Sequence, residues 1–207
     1  MDEYVVRAGK FIRQWMADHP KFKDLAEMYY DRNRADRAFL SKALIGVEPW
    51  KHMSFIPDWA FYGCHELTNV DIPNNVPIIG EKAFKCCENL ESITLGDGVV
   101  NIEGEAFRDC TKLKKIIIPD GVSGLRDRTF MGCKSLTDVT LGTGIRYLGE
   151  YVFYGCEKLS NIKYKGTMKQ FNNIEKYDNW CELRNPHGPG VFIYVKTVQC
   201  SDGVIDL

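Results

Sequence analysis

Phenylalanine stands at Phe61, Phe84, Phe107, Phe130 and Phe153, and cysteine at Cys64, Cys87, Cys110, Cys133 and Cys156, each series spaced by 23 residues. A period held in phase through five copies imposes the same local structure on every copy. Units of this length stack into a solenoid, in which each coil contacts only its neighbours. Such arrays usually hold another molecule against an extended surface.

Further columns share the period. Ile56, Ile79, Ile102, Leu125 and Leu148 open the unit, and Leu67, Leu90, Leu113, Leu136 and Leu159 follow each cysteine. Val70, Ile93, Ile116, Val139 and Ile162 come next, then Ile72, Leu95, Ile118, Leu141 and Tyr164. Apolar alternation with β-branched residues predicts a short strand there. Pro73, Gly96, Pro119 and Gly142 close that strand, since proline lacks an N–H and glycine weakens a ladder. Asn75, Gly98, Gly121 and Gly144 are expected at positive φ in the turn that follows. The A-F-x-x-C stretch is too short for a full helix, so an irregular or helical turn is expected in each coil.

A single unit would not fold alone. Each coil offers about six large apolar side chains, worth roughly 1.5–3 kcal/mol apiece when buried. Ordering the backbone costs roughly 1–2 kcal/mol per residue, which a lone coil does not recover. Stacked coils pair their strands and share one core.

The unit I/L-x-x-x-A-F-x-x-C-x-x-L-x-x-V/I-x-I/L-P/G-x-x-V resembles the leucine-rich repeats of the BspA-like family, also called the Treponema pallidum type. The resemblance runs from Phe55 to Tyr164, with Thr129 and Val152 replacing the alanine and Cys86 standing where Gly63, Gly132 and Gly155 occur. The stretch 164–171, Trp180 and the run 198–205 resemble the family's C-terminal closure. The resemblance implies a parallel sheet on a concave face, interaction with proteins or glycans, and no transferable catalytic residues. The expected class is therefore α/β: a leucine-rich-repeat solenoid with short parallel strands on the concave face, a helical N-terminal cap and a small β C-terminal cap.

The expected domains are a cap with a degenerate first coil over 1–54, five repeats over 55–166, and a closing segment over 167–207. Apolar spacing at Val5, Ala8, Ile12, Trp15 and Met16 predicts one cap helix, with two more from Asp24 and Arg34. Met168 and Phe171 extend two repeat columns beyond Tyr164. Strands are expected at Val191–Val195 and Val198–Cys200.

Charge is balanced, 27 basic against 28 acidic residues, which leaves no field to draw nucleic acid or an anionic membrane. No apolar run reaches the ~20 residues of a membrane span. The N-terminus lacks the apolar core and cleavage site of a signal peptide, so a cytoplasmic, bacterial or phage-borne protein is expected. The eight cysteines are expected as small buried thiols. Parallel Cβ vectors one strand spacing apart disfavour disulfides, and a linear stack cannot offer four converging zinc ligands. Neither cofactor nor metal is expected. Walker A, G-x-G-x-x-G, H-E-x-x-H and G-x-S-x-G motifs are absent from the sequence.

Strand alternation places two columns on the concave face: Asn69, Ser92, Lys115, Asp138 and Asn161, and beside them Asp71, Thr94, Ile117, Thr140 and Lys163. These ten residues are the expected contact surface for a protein partner. Tyr62, Met131, Tyr154, Trp50 and Trp59 are alternative anchors near the repeat phenylalanines and the N-terminal junction. The expected function is a non-catalytic protein-binding scaffold, monomeric or weakly dimeric, one version being an inhibitor of a host or defence protein. The rival is an exported adhesin that binds matrix protein or glycan.

Overall fold

The structure, a computed structural model, describes residues 55–65, 67–177, 179–181, 195 and 197–207. The helical cap expected over 1–54, with Trp50, lies outside the described residues, as does most of the strand expected at Val191–Val195. Within them the 23-residue period becomes a parallel β-solenoid. Each coil contributes one strand of up to four residues, a turn, a two-residue strand and then a run of turns.

The longer strands are β1 (Asn69–Ile72), β3 (Ser92–Leu95), β5 (Lys115–Ile117), β7 (Asp138–Leu141) and β9 (Asn161–Tyr164). The short ones are β2 (Ile78–Ile79), β4 (Asn101–Ile102), β6 (Gly124–Leu125), β8 (Tyr147–Leu148) and β10 (Glu175–Lys176), which form one continuous parallel sheet. The longer strands divide. β1 pairs with β3, while β5, β7 and β9 run on to β11 (Thr197–Cys200), and antiparallel β12 (Gly203–Asp206) closes that sheet. Gly96 N–H donates to Ile72 O at 2.8 Å and Lys165 N–H to Leu141 O at 3.0 Å. The same bond one coil after Gly96 would run from residue 119 to Leu95 O, and Pro119 has no N–H. Pro119 lies beside the break, but the bond it lacks is also missing at Gly142, where β5 and β7 still pair.

Phenylalanine and cysteine together build the opposite edge. The five rings are buried and stack with centroids 5.2–5.9 Å apart and planes within 16°. Four buried repeat thiols donate to the carbonyl of the phenylalanine 26 residues earlier: Cys87 to Phe61, Cys110 to Phe84, Cys133 to Phe107 and Cys156 to Phe130, at 3.1–3.2 Å. A thiol thus supplies both a small apolar volume and a donor, which alanine lacks. All eight cysteines are free thiols.

No helix forms in the A-F-x-x-C stretch; it is a succession of turns. Trp59, Lys82, Glu105, Arg128 and Tyr151 adopt φ of 55–61°, and a second left-handed position falls on Gly63, Cys86, Asp109, Gly132 and Gly155. The positive φ expected at Asn75, Gly98, Gly121 and Gly144 is therefore misplaced. Glycine at 98 and 144 answers a different need: a Cβ there would overlap the carbonyl oxygen of Asn74 or Asp120 in the preceding coil. The left-handed residues aim their amides along the stack. Lys82, Phe84 and Cys86 N–H donate to Gly104, Ala106 and Arg108 O, and the same three bonds recur one coil earlier and later. A left-handed non-glycine costs roughly 1–2 kcal/mol, which bonds of about 1 kcal/mol each help to offset.

The C-terminal closure shifts register. Met168 and Phe171 do not continue the repeat columns; they lie in α1 (Met168–Asn172), a single capped turn. β10 pairs Lys176, not Phe171, with Leu148, so five extra residues enter the coil. Lys176 Nζ donates to Phe171 O and Ile174 O at 2.7 and 2.8 Å. Trp180 then meets the last ring of the phenylalanine stack edge-on, 6.1 Å from Phe153.

Candidate functional site

The ten residues expected on the strand face do share it. Asn69 lies opposite Ser92 and Asp71 opposite Thr94. Beyond the break, Lys115, Asp138 and Asn161 align, as do Ile117, Thr140 and Lys163. Asp138 and Thr140 are half-buried and the other eight exposed. Their alternation with buried Val70, Ile93, Ile116, Val139 and Ile162 is what fixes them outward.

Neighbours within the columns hold one another. Ser92 Oγ donates to Asn69 Oδ1 at 2.6 Å, and Asn161 Nδ2 to Asp138 Oδ1 at 3.0 Å. Asp138 also accepts from Thr137 Oγ1 at 2.6 Å and faces Lys115 Nζ at 3.6 Å. The Thr137 hydroxyl, then the Asn161 amide and Lys115, hold the Asp138 carboxyl below the usual carboxylate range. Glu91 is lowered in the same way by Lys114, whose Nζ stands 2.7 Å away. Ile117 is the apolar point amid this polar face, 61% exposed.

Sequence reasoning stopped this face too early. Gln199 of β11 lies opposite Lys163, and Val204 of β12 opposite Gln199. Val204 is 52% exposed, so the column holding Ile117 also ends on an apolar residue. The T-V-Q-C alternation at 197–200 carried that signal.

The alternative anchors pack on the turn edge as half-buried pairs. Trp59 and Tyr62 lie 5.1 Å apart with Lys82 over the Trp59 ring, and Tyr151 meets Tyr154 at 5.5 Å with Arg128 over it. Met131 is also half-buried there. Cys86 sits beside them, its thiol pushed up by partial burial and by Asp109.

A cleft of about 550 Å³ opens beside the short-strand sheet, lined among others by Glu103, Arg126, Asp127, Tyr147, Glu175 and Tyr177. Its ions are committed. Arg126 Nε pairs with Glu103 at 2.7 Å, and Asp127 Oδ1 accepts the Glu150 N–H at 2.9 Å. Burial pushes the Tyr147 phenol up. Among the described residues, no histidine, cysteine or serine lines it.

Residues 50–179 match the BspA type leucine rich repeat region, in six copies. The chain belongs to that family. Among similar solved structures, the Treponema pallidum leucine rich repeat protein TpLRR is 33% identical with a TM-score of 0.52, over 54% of this chain and 52% of its own. A leucine rich cell surface protein from Faecalibacterium prausnitzii A2-165 is 32% identical with a TM-score of 0.55, over 59% of this chain and 32% of its own. The pneumococcal vaccine antigen PcpA is 25% identical with a TM-score of 0.51, over 58% and 30%. This BspA-type chain thus spans about half, or less, of each of those proteins. No curated protein matches the sequence.

Proposed function

We propose that this BspA-type protein is a non-catalytic scaffold that binds another protein on the exposed face of its longer strands. One observation carries the reading: an isoleucine 61% exposed stands beside a polar column whose members bond in pairs, Asn69 with Ser92 and Asp138 with Asn161. An apolar point within a polar, pre-organised field suits protein recognition, because little side-chain entropy remains to be lost on docking. Balanced charge argues against nucleic acid as the ligand. In this reading the protein works as a monomer or weak dimer, needs no cofactor, and acts in the cytoplasm of a bacterium, where it antagonises a host or defence protein.

A second reading, an exported adhesin, gains support from the Faecalibacterium relative, which is a cell surface protein. Cell fractionation separates the two. For the binding face itself, capture from native lysate is compared between wild type and the Lys115→Glu and Ile117→Asp variants. The expected result is loss of one captured protein with both variants. Unchanged capture by both moves the interface off the sheet.

A further inference from the structure

We propose that the interface between the Phe84 coil and the Phe107 coil is a built-in joint, loose along the strands and fastened along the turns. On the strand side, β3 and β5 lie in separate sheets, whereas β1/β3, β5/β7 and β7/β9 pair over three or four residues. The short-strand sheet thins at the same level: β4 and β6 meet at the single pair Ile102–Leu125, against two pairs in β2/β4 and β6/β8.

Distances agree. Lys114 N–H reaches Glu91 O at 3.4 Å, while the equivalent bonds one coil before and after are 2.8 Å. Ser123 N–H reaches Val100 O at 3.4 Å, against 2.9 and 2.7 Å for its equivalents. At Gly121 an added Cβ would find its nearest neighbour 3.3 Å away, whereas at Gly98 and Gly144 it would overlap a carbonyl oxygen.

The turn side is closed. Lys82, Phe84 and Cys86 donate across it at 3.0, 2.8 and 2.8 Å, Cys110 Sγ reaches Phe84 O at 3.2 Å, and the two rings stack at 5.5 Å and 7°. An interface held on one side and slack on the other rotates about the held side. That rotation changes the spacing between Thr94 and Ile117, and with it the shape of the strand face. The exposed Glu91–Lys114 ion pair spans the gap as a tether that solvent and salt weaken. None of this depends on what the face binds.

Amide hydrogen exchange by NMR on the full chain tests it. Ile118 N–H is bonded to Thr140 O, so the Ile117 amide faces the gap. The Ile117 amide is expected to exchange about tenfold or more faster than those of Thr140 and Lys163, which occupy the same column in continuous sheet. Equal protection of Ile117, Thr140 and Lys163 overturns the proposal.

Discussion

The turn edge and the strand face carry the same period yet use it in opposite ways. Along the turns, each coil gives three backbone bonds and a thiol bond to its neighbours, around a phenylalanine that is at most 1% exposed. Along the strands, pairing lapses between β3 and β5, and side chains such as Ile117 and Lys115 stand in solvent. The difference locates stability and recognition on separate edges. Substitution is expected to cost most at the buried rings and thiols of the turn edge and least at the exposed strand residues.

The hardest test of that division removes a ring from the stack. Phe107→Ala is expected to cost about 3–5 kcal/mol in denaturant unfolding, because Phe84 and Phe130 lose their shared partner. Ile117→Ala should stay within about 0.5 kcal/mol. Similar losses from both would erase the contrast.

Next comes the thiol ladder. Cys110→Ala removes the sulfur donor to Phe84 O, which keeps the Cys87 N–H, with an expected loss of about 0.5–1.5 kcal/mol. Burial, then the neighbouring cysteines, hold the Cys87 and Cys110 thiols well above their ordinary range. Alkylation at pH 8 should accordingly spare them until the protein is denatured, with half-exposed Cys86 labelled first. Labelling of Cys110 in the folded protein would show that the turn edge opens.

Cys86 offers the reverse experiment. It holds φ of 60° where three other coils have glycine. Cys86→Gly should therefore raise stability, by about 1 kcal/mol, read as a higher denaturation midpoint. A loss would mean that its side-chain contact with Tyr62 outweighs the relief of backbone strain.

The smallest effect sharpens the electrostatic side of the comparison. Partial burial raises the Glu105 carboxyl, but Lys85, 2.6 Å away, with Lys82 and Arg108, outweighs it and the net shift is downward. A depressed carboxylate adds stability that is complete above its unfolded value of about 4.3 and disappears as pH falls through the lower folded value. Glu105→Gln should flatten the decline of thermal stability below about pH 4.3. An unchanged acid profile would assign that decline to other carboxylates.

The core columns and the outward strand columns were legible because burial enforces period-2 alternation within a 23-residue repeat. Backbone conformation was not. Lys82, Glu105 and Arg128 have no preference for left-handed φ, and only the pull of an amide toward the next coil puts them there. Glycine at 98 and 144 suggested a turn conformation, whereas a carbonyl in the preceding coil is what excludes a side chain. Phe171 shows a third limit. Its spacing fits the repeat, but a capping box at Thr167 and Gln170 starts a helical turn and moves the register five residues on.

Identical rings stacked at near-constant spacing have one more consequence. Along the turn edge, each coil presents upward the same ring and carbonyls that its predecessor presents, so a 23-residue cassette excised or duplicated meets neighbours whose turn edges already fit. Reach along the axis is thus an inheritable length, adjustable by recombination in the gene without redesigning that edge.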